Sequence, residues 1–240
     1  MIKIRNLSTP LIFIISFLYF IISSNKNTLS RYLISNYALK DGEFYLNKNS
    51  LDLLNYKLNL ADNNLIPKLI IDSKGNKFYS YKKNEFSKNL SFIEIEELIN
   101  NPPVFKNERL FIKNIINLLD ELGINVIFIN FKNSKISGEW DYRNKIIKLN
   151  LNLIEGGTKN FTNVLNHEVI HIVQSCVNGN ITSKPKLIGL KLNLDKQKTH
   201  LLSSKIYKNK SKKILSFEKE AYSYQDDFDL GLKLLKKYCL

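Results

Sequence analysis

The sequence predicts an α+β fold over residues 106–240, and three observations predict it. Apolar residues recur at helical spacing in three stretches: Leu110, Phe111, Ile115, Leu118, Leu119 and Leu122; Phe161, Leu165, Val169, Ile172, Val173 and Cys176; and Phe217, Ala221, Tyr224 and Phe228. Between the first two lie three short runs dense in β-branched and aromatic residues, 124–131, 136–142 and 145–151. Turn residues punctuate them: Gly123 after the first helix, 132–134 and Arg143-Asn144 between strands, Gly156-Gly157 before the second helix. The expected domain is a backing helix, a small mixed or antiparallel sheet, a second helix, and a last helix over 217–238.

Size and composition set the frame. At 240 residues the chain suits one domain with an N-terminal extension, and it can bury a core without staples. An apolar content of 44% is that of a globular protein. The formal charge of +14 suits contact with anionic lipid, nucleic acid or acidic wall polymers, and charge alone does not choose among them. Two cysteines, Cys176 and Cys239, exclude a disulfide scaffold and a cysteine-rich zinc finger. They are either one bridge in an oxidising compartment or free thiols, and Cys176 lies on an apolar stripe.

Taken in order, Lys3 and Arg5 precede the apolar run Leu11–Ile22, and Ser23 and Ser24 follow. A basic start, a short apolar core and small residues describe a secretory signal. An A-x-A cleavage site is absent, so an uncleaved anchor is the alternative. Residues 1–24 are therefore set apart, and the expected location is exported or membrane-anchored. Residues 25–105 form an accessory region: a helix from Leu51 to Leu60, a hairpin of 69–71 and 77–81 around a Gly- and Asn-rich turn, and a helix from Ser91 to Asn100 stopped by Pro102-Pro103. Nothing in it points to chemistry.

The chemistry sits in the second helix of the domain. His167-Glu168-Val169-Ile170-His171 spells H-E-x-x-H. Residues four apart share a helix face, so His167 and His171 can each aim a ring nitrogen at one metal ion. Glu168 is placed to take a proton from a water at that ion. The chain has three histidines, and two fall here. The apolar stripe on one side of the helix and the motif on another predict a packed helix, with Asn160 or Thr162 as its cap and Asn178-Gly179 as its stop.

On this motif and the order of elements, residues 106–240 resemble the zincin metallopeptidases. The resemblance implies a zinc-dependent peptidase of unspecified substrate, with an edge strand above the cleft that pairs with extended peptide. Lys145–Leu151, the nearest strand before the motif, is the candidate edge strand.

A catalytic zinc needs a third protein ligand. Gln174 and Val177 stand where metzincins carry glycine and a third histidine, which excludes that branch. Gluzincins take a glutamate from a later helix, and Phe217-Glu218-Lys219-Glu220-Ala221-Tyr222-Ser223-Tyr224 offers two. Glu218 and Glu220 flank the apolar face on opposite sides, so helix geometry does not choose. Glu218-x-x-Ala221 matches one gluzincin frame, with Tyr222 in place of the usual Asp or Asn. Glu220-Ala221-x-Ser223 matches another, with Tyr224 in place of Asp. Glu218 is favoured and Glu220 is the alternative; His200 is a distant third. The small Ala221 lets this helix approach the motif helix. Asp226, Asp227 or the unused glutamate are candidates to orient a ligand histidine, and Tyr222 or Tyr224 to reach an oxyanion.

The expected function is peptide hydrolysis with Zn2+ on His167, His171 and Glu218, and Glu168 as general base. The alternative is an exported or membrane-attached zinc-binding protein of the same fold without turnover. The segment 184–213 holds ten lysines against a single acid, Asp195. Such a run is ordinarily a solvated surface; its sharper reading is a basic lip that meets an anionic membrane or wall surface. No nucleic-acid motif accompanies it.

Overall fold

A computed structural model describes residues 44–81, 90–133, 135–204 and 206–240. The apolar segment expected to direct export lies outside the described residues. Among those described, no helix is long and apolar enough to cross a membrane.

The molecule is α+β. The strands among the described residues are β1 (Phe44–Leu46), β2 (Lys68–Ile71), β3 (Lys77–Ser80), β4 (Asn125–Ile129), β5 (Gly138–Asp141) and β6 (Ile146–Asn150). The α-helices among the described residues are α1 (Leu51–Leu65), α2 (Phe92–Asn100), α3 (Lys106–Glu121), α4 (Gly157–Cys176), α5 (Lys196–Leu202), α6 (Lys212–Tyr224) and α7 (Phe228–Cys239). The main sheet has the order β1-β4-β6-β5, and β2 and β3 pair as a separate hairpin.

The sheet corrects the expected edge strand. β6 pairs in parallel with β4 and antiparallel with β5, so the strand within 145–151 is interior. β5 is the outermost strand on that side. The physical reason is the pairing of β4 with β6 rather than with the strand that follows it. This sends the chain out to β5 and back. Sequence order alone made the last strand look outermost.

β1 closes the other edge against β4. Leu46 of β1 and Leu51, Leu54 and Leu58 of α1 join the same core as α3 and α4. The boundary drawn at residue 105 therefore divides residues that share one sheet and one core.

Helix α4 runs through the centre. Phe161, Leu165, Val169, Ile172 and Val173 are fully buried, and Val126, Phe128, Ile147 and Leu149 of the sheet join them in the core. Truncating one such side chain to Ala costs about 2–5 kcal/mol. The polar side that carries the motif is covered as well: Asn166, His167, Glu168, Gln174 and Ser175 are all buried, with α6 and α7 packed on the helix. Burial of so many polar groups is tolerable because most are paired.

Neither expected cap starts α4. Its first turn is capped from outside, by Asp62 of α1. The Asp62 carboxylate accepts the Thr158 backbone N–H at 2.7 Å and its hydroxyl at 2.6 Å, and also pairs with Arg109 of α3 at 2.9 Å. A carboxylate at a helix N-terminus satisfies free donors and favours the local dipole.

The late helix is two helices. α6 ends at Tyr224 and α7 begins at Phe228, with Asp227 capping α7 through the Leu230 N–H. Asn166 of α4 holds the break: its amide nitrogen lies 2.9 Å from the Tyr224 carbonyl, 3.0 Å from that of Gln225 and 3.1 Å from that of Asp227. Gly231 makes room, since a Cβ there would lie 2.0 Å from Asn166 Oδ1. Cys176 and Cys239 form a disulfide, tying the end of α4 to the end of α7.

Candidate metal centre

Two elements supply the site. α4 presents His167 and His171 one turn apart. α6 crosses it through the buried Ala221, and this close approach carries Glu218 to the histidines. The two imidazole Nε2 atoms lie 3.1 Å apart. Glu218 Oε2 is 3.3 Å from His167 Nε2, and Oε1 is 3.7 Å from His171 Nε2. One ligand atom from each residue falls within 4.8 Å of the others.

Glu220, the alternative, does not join them. It is buried on another side of α6. There its carboxylate accepts the N–H groups of Ile188 at 3.0 Å, Gly189 at 2.8 Å and Leu190 at 3.0 Å. It also accepts Gln174 Nε2 at 2.9 Å. Gln174 in turn receives His171: Nδ1 lies 2.8 Å from Gln174 Oε1. The amide orientation is fixed by its far side, where Nε2 donates to Glu220 and to the Phe217 carbonyl at 3.1 Å. An acceptor at Nδ1 makes that nitrogen the donor and leaves the Nε2 lone pair aimed at the site. The unused glutamate thus supports a site histidine through Gln174.

The remaining candidates lie elsewhere. Asp226 pairs with Lys198 at 2.5 Å, and Asp227 caps α7. His200 is exposed on α5. The Tyr224 hydroxyl donates to the Lys191 carbonyl. Tyr222 does reach the site: its ring centroid is 4.5 Å from that of His167. Tyr207, which no sequence pattern marked, reaches it too. Its hydroxyl is 3.1 Å from Glu218 Oε2 and 3.1 Å from the Tyr222 hydroxyl.

Electrostatics follow from this crowding. Burial disfavours charge on His171, but Glu218 beside it outweighs burial and pushes the imidazole up to about 9. Burial likewise disfavours the Glu218 carboxylate, yet His171 and His167 hold it well below the usual carboxylate range. Glu168 is buried against the edge strand and has one carboxyl oxygen without a hydrogen-bond partner among the described residues. Burial raises its pKa, against the pull of the histidines. Gly138 of β5 makes the space, because a Cβ there would stand 2.5 Å from Glu168 Oε1. Burial also raises Tyr207 and Tyr222, keeping both as hydroxyl donors.

The donor set suits a metal. Two facing imidazole lone pairs and a carboxylate need a cation between them, and two histidines with one glutamate match the ligand types that zinc takes.

An α+β domain with a buried two-histidine, one-glutamate cluster is the class that this geometry defines. The chain belongs to the family described as a domain of unknown function, DUF8637, whose model matches residues 104–240. Neither the curated proteins nor the solved structures contain a match to it.

Proposed function

We propose that the protein is a zinc metallopeptidase of the zincin type, with His167, His171 and Glu218 as metal ligands and Glu168 as general base. The observation that carries this reading is the convergence of those three side chains beside the buried carboxyl group of Glu168. A zinc ion bound there would supply Lewis acidity toward water and toward a peptide carbonyl.

The chain's own groups do the rest. β5 is the edge of the sheet among the described residues, and an extended peptide would add to it through backbone hydrogen bonds. Glu168, next to β5, takes the proton of the attacking water as the new C–O bond forms. It returns that proton to the leaving nitrogen as the C–N bond breaks. Tyr222 stands as a neutral donor for the developing oxyanion, while Tyr207 spends its proton on Glu218 and steadies that carboxylate. Gln174 and Glu220 hold the His171 ring in register.

The disulfide supports an exported location, since such bonds persist in oxidising compartments. The basic charge of the exported domain suits an anionic membrane or wall surface.

Glu168→Gln tests the catalytic assignment. It should keep zinc and lose about 10²–10⁴-fold in hydrolysis of an unfolded protein such as casein. A variant that cleaves as fast as wild type ends the assignment. Wild type that binds zinc but cleaves nothing points instead to a zinc-binding protein without turnover.

A further inference from the structure

Resting on that reading, we propose that the substrate is an acidic peptide, selected by lysines that the 184–213 segment carries to the mouth of the site. The segment holds ten lysines and one aspartate, +9 of the chain's +14 in one-eighth of its length. A compositional bias would spread lysine evenly; here the acids are missing as well.

The segment is fastened to the site. Lys186 N–H donates to the Gln174 carbonyl at 2.8 Å, and Ile188, Gly189 and Leu190 bind Glu220. Asn193 N–H donates to the Ser223 hydroxyl at 3.0 Å, and Lys198 pairs with Asp226. Last, Tyr207 enters the site and donates to Glu218 at 3.1 Å. Lys208, Lys210, Lys212 and Lys213 follow Tyr207 directly, and all four are exposed. Their charge therefore lies within a few residues of the point where the chain touches a proposed metal ligand. The edge strand β5, beside Glu168, carries Glu139 and Asp141, and Lys148 pairs with both, at 2.9 and 3.3 Å. Among the described residues no carboxylate pairs with Lys208, Lys210, Lys212 or Lys213, so their positive charge is uncompensated. A peptide rich in Asp and Glu gains there, while a basic one is repelled.

The test uses the full chain as Glu168→Gln, loaded with zinc, so that binding is read without turnover. Three labelled peptides of equal length are compared, rich in Glu, in Gln or in Lys. The proposal expects the Glu-rich peptide to bind at least about tenfold tighter than the Gln-rich one at low salt, with the margin shrinking as salt rises. Replacing Lys208, Lys210, Lys212 and Lys213 together by Gln should abolish the margin. Replacing four exposed lysines elsewhere, Lys74, Lys77, Lys233 and Lys236, should keep most of it. Equal affinity for the Glu- and Gln-rich peptides, or equal loss in the two quadruple variants, overturns the proposal. So does tight binding of phosphatidylglycerol vesicles that the Glu-rich peptide does not displace; the patch would then be a lipid surface. If zinc-loaded wild type shows the predicted margin but never cleaves the bound peptide, the peptidase reading falls and the acidic-peptide site stands.

Discussion

His171 gives its two ring nitrogens different tasks. Nδ1 donates to Gln174, and Nε2 faces His167 and Glu218. The Gln174 amide is a link in a buried chain that ends on Glu220 and three backbone N–H groups. Gln174→Leu keeps the volume roughly and removes the acceptor. It should weaken zinc affinity by about 10–100-fold, the range typical of lost outer partners, while Glu168 stays in place. Competition with a metal-sensing dye reads this directly, and wild-type affinity in the variant would remove Gln174 from the account. At this scale the sequence was half legible. The spacing of His167 and His171 follows from helix period alone. Gln174 could be read only as a residue that excluded one family pattern, because its role depends on Glu220, which lies on a helix 46 residues away. Tyr207 sits among lysines and serines with no periodicity, so only tertiary contact reveals it.

At the scale of elements, α4 and α6 make the site, and α7 keeps them together. Asn166 stands one residue before His167 and grips the carbonyls at the α6–α7 break. Gly231 lets α7 come close enough for this. Gly231→Ala would force its methyl group into the Asn166 side chain. Overpacking of this kind costs about 1–3 kcal/mol, and thermal unfolding should show a lower Tm, with zinc content reduced as Glu218 shifts. An unchanged Tm and full zinc content would mean that the contact relaxes freely. The helices α1 to α4, both hairpins and their approximate bounds were legible from periodicity and turn residues; the short β1 and α5 were not. The break at 225–227 was not, because Gln225, Asp226 and Asp227 contain neither Gly nor Pro, and the stop is imposed by Asn166 from another helix. The edge strand was misread for a related reason: strand order in a sheet is a tertiary property, and β6 pairs on both sides.

Over the whole molecule, one covalent link joins the far ends of this machinery. The disulfide spans 63 residues, from the end of α4 to the penultimate residue. Closing a loop of that size stabilises a fold by about 2–5 kcal/mol. Cys239→Ser should lower Tm accordingly, and reductant should lower wild type to the same value without affecting the variant. Insensitivity of wild type to reductant would show that the bridge contributes nothing. Two cysteines 63 positions apart could be read only as a pair that either bonds or does not; the fold brings their Cα atoms to 5.3 Å. Zinc content per chain is the measurement that bears on the central claim most directly. Wild type is expected to carry one zinc, Glu218→Ala little or none, and His200→Ala one. A folded wild-type protein that takes up no zinc when incubated with the metal, or a Glu218→Ala variant that holds it as well as wild type, would contradict the account.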